Sequence, residues 1–107
     1  YINAQRDRAI IADQIGSMFE HVDALVLPSA AQPAAPLGEF GASKVPIFDG
    51  PFNLSGHPAI SLPCGFSKAG LPIGLQIVGG LFDEAKLFRI ASAYERHTPW
   101  HSYAPSI

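Results

Sequence analysis

The apolar and polar positions sort this chain into a helix, a short strand, a long irregular stretch, a strand pair and a second helix. Over residues 2 to about 21, Ala4, Ile11, Ile15, Met18 and Val22 recur at helical spacing, and Phe19 widens the stripe. Arg6, Asp7, Asp13, Gln14, Ser17 and Glu20 take the wet side. The stripe is expected to enter a core rather than bind a partner. Gly16 inside it lowers helix propensity by about 1 kcal/mol relative to Ala. Residues 24–27, Ala-Leu-Val-Leu, are apolar without alternation and are ended by Pro28. Such a strand expects burial on both faces, and an edge strand of a small isolated domain does not normally look like this. It is the first hint of a larger sheet.

Residues 28–58 form a long loop punctuated by Pro28, Pro33, Pro36, Pro46, Pro51 and Pro58, with Gly38, Gly41, Gly50 and Gly56 between them. Nothing regular is expected there beyond a turn or a short helix near Phe52. A loop of this length in a compact domain is functional, disordered or packed on something else, and its Ala and Phe content argues against simple disorder. Residues 59–66 and 73–78 then read as a hairpin closed by a turn over residues 67–70. Ile60, Leu62, Cys64 and Phe66 point one way, and Ala59, Ser61, Pro63 and Gly65 the other. Ile73, Leu75 and Ile77 likewise oppose Gly74, Gln76 and Val78. One face is bulky and the other mostly small, which lets another backbone or helix approach closely. Pro63 lacks a ladder donor and marks an edge or a bulge. Asp83 is the expected N-cap of a last helix, 84–97, with Leu87, Phe88, Ala91 and Tyr94 on its apolar side and Ile90 adjoining. Glu84 at its start, and Arg96 and His97 at its end, suit the helix dipole. Thr98-Pro99 stops it, and the tail is expected to be pinned by Trp100 and Tyr103. The fold class is α/β.

A chain of 107 residues fits a single domain, 1–107, or a fragment of a larger one. Its formal charge is −2 and its basic residues form no run, so nucleic-acid binding has no electrostatic footprint. No apolar run spans a bilayer and no secretory pattern opens the chain. One cysteine, Cys64, cannot pair internally and suits a reducing, cytoplasmic setting. The chain opens at Tyr1 with the helical pattern already running, so a cut or processed boundary is expected there.

Few residue patterns in the chain carry chemistry. G-x-S-x-G and S-x-x-K are both absent. Ser43-Lys44 and Ser67-Lys68 are adjacent pairs, which normally diverge, and read as turn residues. Cys64 reads as a buried structural thiol. His97 and His101 have i, i+4 spacing, but Pro99 breaks the helix between them, so a cap and a solvated tail histidine are expected rather than a metal site. His21 and His57 have no partner at ligand spacing. Gly79-Gly80 precedes a helix without G-x-G-x-x-G, so nucleotide binding is weakly supported. No cofactor and no metal are called for, and no catalytic residue is assigned.

The segment Pro51-Phe52-Asn53-Leu54-Ser55-Gly56-His57-Pro58 and its continuation Ala-Ile-Ser-Leu-Pro-Cys-Gly-Phe to residue 66 resemble the C-terminal region of the amidase signature family. So do Gly70-Leu71-Pro72-Ile73-Gly74-Leu75-Gln76, the helix opening Phe82-Asp83-Glu84-Ala85, the strand Asp23 to Pro28, and the endings Tyr94-Glu95 and Trp100-His101. The resemblance implies the C-terminal portion of that fold, a mixed sheet with flanking helices. It implies cleavage of carboxylic amides through a Ser–cis-Ser–Lys triad, with a serine nucleophile forming an acyl-enzyme and backbone donors holding the oxyanion. Those elements belong to the N-terminal two-thirds of the family fold and have no matching positions here, so the chain is expected to be inactive by itself. Phe52 and Asn53 are the candidates for the wall of the substrate pocket, packing and turn formation being the alternative. The expected partners are a small-molecule amide in the complete enzyme, and the N-terminal amidase portion or a second copy. One branch of the family, the tRNA-dependent amidotransferase, places an Asp where this chain has Pro46, which favours a stand-alone amidase. A non-catalytic binding or assembly module is the alternative class.

Overall fold

A computed structural model of the chain describes residues 1–38 and 48–105. Ser43, Lys44 and Pro46, and with them the middle of the 28–58 loop, lie outside the described residues. Helix α1 spans Ile2–Met18, and the helical course tightens into bonds from the N–H groups of Phe19, Glu20 and His21 to carbonyls three residues back. That accounts for the pattern reaching residue 21. Strand β1 is Leu25–Pro28, β2 is Ala59–Phe66 and β3 is Pro72–Val78. Helix α2 covers Gly50–Ser55, around Phe52 as expected, and α3 covers Glu84–His97.

The described strands form one antiparallel sheet in the order β1-β3-β2. Its register pairs Leu62 with Leu75 and Ile60 with Ile77, so the bulky residues share a face. Leu87 and Ala91 of α3 bury against Leu62 and Ile77, with Ile60, Leu75, Ile90 and Tyr94 around them. The other face packs at one end only, where Val78 meets Ile15 of α1 and Phe52 of α2, with Ile11, Phe19, Leu25 and Leu27 completing the cluster.

Pro63 marks both features read into it. It lies in an edge strand, and the register slips between Pro63 and Gly65, leaving Cys64 as the extra residue of a bulge. Gly65, at φ 148°, takes up the bend. Cys64 is therefore half-buried at an irregularity, not sealed in a regular strand. The hairpin turn closes through Gly70 N–H to the Ser67 carbonyl at 2.9 Å, with Gly70 at φ 79°.

Further expectations need correction, among them burial of β1 on both faces: Leu25 and Leu27 are half-buried, but Val26 is exposed. Asp83 precedes α3, but its side chain does not cap the helix; with φ −103° and ψ 38° its carboxylate turns instead to Lys86 Nζ at 2.6 Å. Phe88 does not join the apolar side of α3 and is 65% exposed, because it stands about 100° round the helix from Leu87. The α1 stripe is buried only at Ile15 and half-buried at Ile11 and Phe19, while Met18 and Val22 are exposed. The reason is placement: α1 lies on α2 and on one end of the sheet, so the rest of its stripe has nothing to meet. Trp100 and Tyr103 do pin the tail, both standing edge-on to Phe66 at 6.1 and 5.5 Å.

The radius of gyration is 16.1 Å. A compact chain of about 100 residues has a value near 13 Å. The two buried clusters lie on opposite faces of the three-stranded sheet, and much apolar surface is left open.

Candidate functional site

A concavity of about 520 Å³ opens where the chain leaves β1. Pro28, Ser29, Ala31, Pro33 and Phe48 wall it on one side, and the start of β3, Pro72 to Gly74, on the other. Its walls are small and apolar, and Ser29 stands out as a polar group whose position the fold fixes. The Ser29 N–H donates to the Gly74 carbonyl at 2.9 Å, and its hydroxyl shares a hydrogen bond with Ser61 Oγ at 2.5 Å. Neither serine hydroxyl bonds a histidine, a lysine or a carboxylate among the described residues. The pair can therefore donate and accept hydrogen bonds, but nothing there raises either oxygen to a nucleophile.

Phe52 and Asn53, the residues read as pocket wall, do not line this cleft. Phe52 is 8% exposed and packs with Ile15 and Val78. Asn53 stands exposed on α2, its N–H bonded to the Asp49 carbonyl. α2 itself is held from both ends. Pro51 sits at its start, Gly56 closes it at φ 81°, and Arg8 of α1 donates from Nε to the Leu54 carbonyl at 2.7 Å.

A serine–histidine contact that the sequence reading missed lies just beyond α2. Ser55 Oγ is 2.8 Å from His57 Nδ1, and the Ser55 hydroxyl also reaches the Phe52 carbonyl. The His57 ring stacks on Phe19 with centroids 5.2 Å apart. Burial there lowers the His57 pKa, because a charged imidazolium loses its hydration under the ring. No carboxylate orients this imidazole among the described residues, so the contact ties the end of α2 to the β2 entry, with the Phe19 stack adding the end of α1, and is not a catalytic set. The signal was a Ser-Gly-His step at a helix end, where the left-handed glycine folds the chain back on itself.

The remaining polar candidates have local roles. Ser67 Oγ accepts from Leu71 N–H, which makes it a turn residue as expected. His97 Nδ1–H donates to the Ala93 carbonyl at 2.7 Å, and His101 is exposed in the turn Trp100–Ser102. Among the described residues no group of three His, Cys, Asp or Glu side chains is placed to hold a metal ion. Nor, among them, is any helix long and apolar enough to cross a membrane. One buried polar group among the described residues lacks a partner. Gln76, 4% exposed on the small face of β3, has its Nε2 buried without an acceptor.

Residues 1–88 match the family described as Amidase. The chain is 47% identical to the A-type subunit of glutamyl-tRNA(Gln) amidotransferase from Thermodesulfovibrio yellowstonii, over 98% of the chain and 23% of that protein. Among solved structures it is similar to the same subunit from Thermotoga maritima, with TM-score 0.80 and 39% identity over 92% of the chain and 23% of that one. It is also similar to 6-aminohexanoate cyclic dimer hydrolase, with TM-score 0.81 and 31% identity over 94% of the chain and 25% of that structure. The chain thus spans about a quarter of the length of these relatives.

Proposed function

The chain belongs to the amidase family, and on that premise we propose that residues 1–107 are the C-terminal part of an amide-cleaving enzyme whose nucleophile and base lie elsewhere in the polypeptide. The observation that carries this reading is the agreement of family, sequence and fold over nearly the whole chain, against a described set of side chains with no activated nucleophile. In the complete enzyme a serine attacks the carboxylic amide, the Ser–cis-Ser–Lys relay moves its proton to the leaving nitrogen, and the acyl-enzyme passes its acyl group to water or another acceptor. This chain's part is to build one side of the sheet and of the pocket. Exposed Asn53, together with its neighbour Phe52, is our candidate for that wall. The single cysteine fits a cytoplasmic protein.

Two branches compete for the parent. Pro46, where the amidotransferase branch has an Asp, speaks for a stand-alone hydrolase. The 47% identity to the A-type amidotransferase subunit, against 31% to the cyclic dimer hydrolase, speaks for the amidotransferase. Agreement across the aligned length outweighs one position, so the amidotransferase A-type parent is favoured. The test mixes the chain with the Thermodesulfovibrio subunit lacking the matching stretch and follows ammonia release from glutamine and from a simple aliphatic amide. The chain by itself should turn over neither. Robust turnover by the isolated chain would end this reading, and turnover of the aliphatic amide but not of glutamine would move the parent to the hydrolase branch.

A further inference from the structure

The end of the molecule where β2 turns into β3 differs in chemistry from the rest. Helix α3 returns along the sheet, and Trp100 and Tyr103 beyond its end meet Phe66 beside the turn. The three ring centroids lie 5.5 to 6.2 Å apart. Pinning the tail does not cover them: Phe66 is 43% exposed and Tyr103 60%. Basic groups surround the rings along the chain. Lys68 stands exposed in the turn, Arg96 and His97 in the last turn of α3, and His101 between Trp100 and Tyr103. Arg96 donates one N–H to Ser92 Oγ at 2.7 Å, and its remaining N–H groups have no printed partner. Glu95 is the one acid in residues 66–72 and 94–105, so those segments carry a formal charge of +1 and the rest of the sequence −3.

Trp, Tyr and Arg are the side chains that most often dominate binding at protein interfaces. We infer that this end is a docking surface for a partner protein segment that alternates apolar and acidic side chains, the apolar ones set against Phe66, Trp100 and Tyr103 and the acids against Lys68 and Arg96. Charge complementarity selects that occupant, because a positive end on a negative chain favours an acidic partner and steers its approach. A second copy of this chain would bring the same positive end and be repelled. Single-stranded nucleic acid needs open ring faces and a row of cations. Here Phe66 stands at 71° to Trp100 and 78° to Tyr103, edge to face, and Lys68 and Arg96 are the only permanent cations in these segments. Two such cations are also too few to hold the chain on an anionic membrane surface.

Trp100 is the chain's one tryptophan, so its emission reports binding at this place. The chain is titrated with a peptide alternating Glu and Leu, with the counterpart alternating Lys and Leu, with single-stranded oligothymidine and with phosphatidylserine vesicles. The Glu-Leu peptide should shift Trp100 emission and bind at least ~10-fold more tightly than the Lys-Leu peptide. Lys68→Glu combined with Arg96→Gln, both at exposed positions, should leave the melting temperature in place and weaken that binding at least ~10-fold. Tyr103→Ala, which changes no charge, should weaken it as well. Were the paired variant not to fold, added salt decides on the unaltered chain, since screening must weaken the Glu-Leu complex. No emission shift with the Glu-Leu peptide, equal binding of the two peptides, or binding that neither the variants nor salt weaken overturns the docking surface. Tighter binding of the oligothymidine or the vesicles than of the Glu-Leu peptide overturns the choice of occupant.

Discussion

Ser29 occupies the space that a side chain at Gly74 would need: a Cβ built there would lie 2.6 Å from Ser29 Oγ, 2.9 Å from Ser29 Cβ and 3.1 Å from Ser61 Oγ. The small face of the hairpin is small at this point because Ser29, bonded to Gly74 in the ladder, sends its side chain across it to Ser61. Gly74→Val is therefore expected to destabilise the chain by about 2 kcal/mol or more through overpacking. Gly74→Ala should cost less but remain measurable, since one of the clashing atoms is a Cβ with no rotamer to escape into. Denaturant melts of the three chains check this. An unchanged midpoint for the valine variant would show that the face is open.

How much of this was legible in the sequence depends on how local the signal is. The bounds of β2 and α3, the bulge at Pro63 and the aromatic pinning of the tail follow from alternation, period and proline chemistry within a few residues. Phe52 entered its core cluster through Ile15 and Val78, which are distant in sequence, so its packing was open to two readings. Asp83 looked like a cap because its type and place were right, and only the position of Lys86 decides where its carboxylate goes. The α1 stripe predicted burial correctly at Ile15, but what covers Met18 and Val22 is not written in this stretch. The cleft beside Ser29 was invisible because irregular chain, which has no period, forms its wall.

Gln76 offers a sign test of its orphan amide. A buried donor without an acceptor costs about 1–3 kcal/mol, and its removal by an apolar group of similar shape recovers part of that. Gln76→Leu should therefore stabilise the isolated chain by about 1 kcal/mol, or some 4–8 °C in melting temperature for a chain of this size. A loss of stability on this substitution would mean that the amide already has a partner, such as ordered water.

His57 predicts a pH dependence of definite direction. Its pKa in the fold is lowered from 6.5 by burial, so the unfolded chain binds the proton more readily. Stability then rises with pH through the window below 6.5. The contribution is complete above that value and is lost as pH falls toward the folded pKa. Melting temperatures from pH 5 to pH 8 should show this rise, and His57→Phe should flatten it. A parent chain whose stability is level across that range would contradict the burial argument.

The tail can be followed through the chain's one tryptophan. Trp100 and Tyr103 both meet Phe66 edge-on, an arrangement worth about 0.5–1.5 kcal/mol per pair beyond the area buried. Phe66→Ala should shift Trp100 emission to the red and open the last residues to proteolysis before the rest unfolds. Emission that does not move would show that Trp100 is held by other contacts.

The last expectation concerns apolar surface. Val26, Met18, Val22, Ile10, Leu81, Phe82 and Phe88 are all exposed, and Phe82 holds φ 61°, a left-handed conformation costly for a bulky side chain. Contiguous apolar patches beyond a few hundred Å² are rare on soluble monomers and mark interaction sites. The uncovered part of the α1 stripe and the Val26 side of the sheet are two such places, and the open β1 edge adds backbone groups in search of partners. The isolated chain should accordingly bind a hydrophobic dye at neutral pH and self-associate at high micromolar concentration. Both effects should diminish when the remainder of an amidase is supplied, because the same surfaces are then covered. Sedimentation and dye titration, with and without that partner, check this. A strictly monomeric chain that binds no dye would favour a self-sufficient assembly module over a part of a larger enzyme.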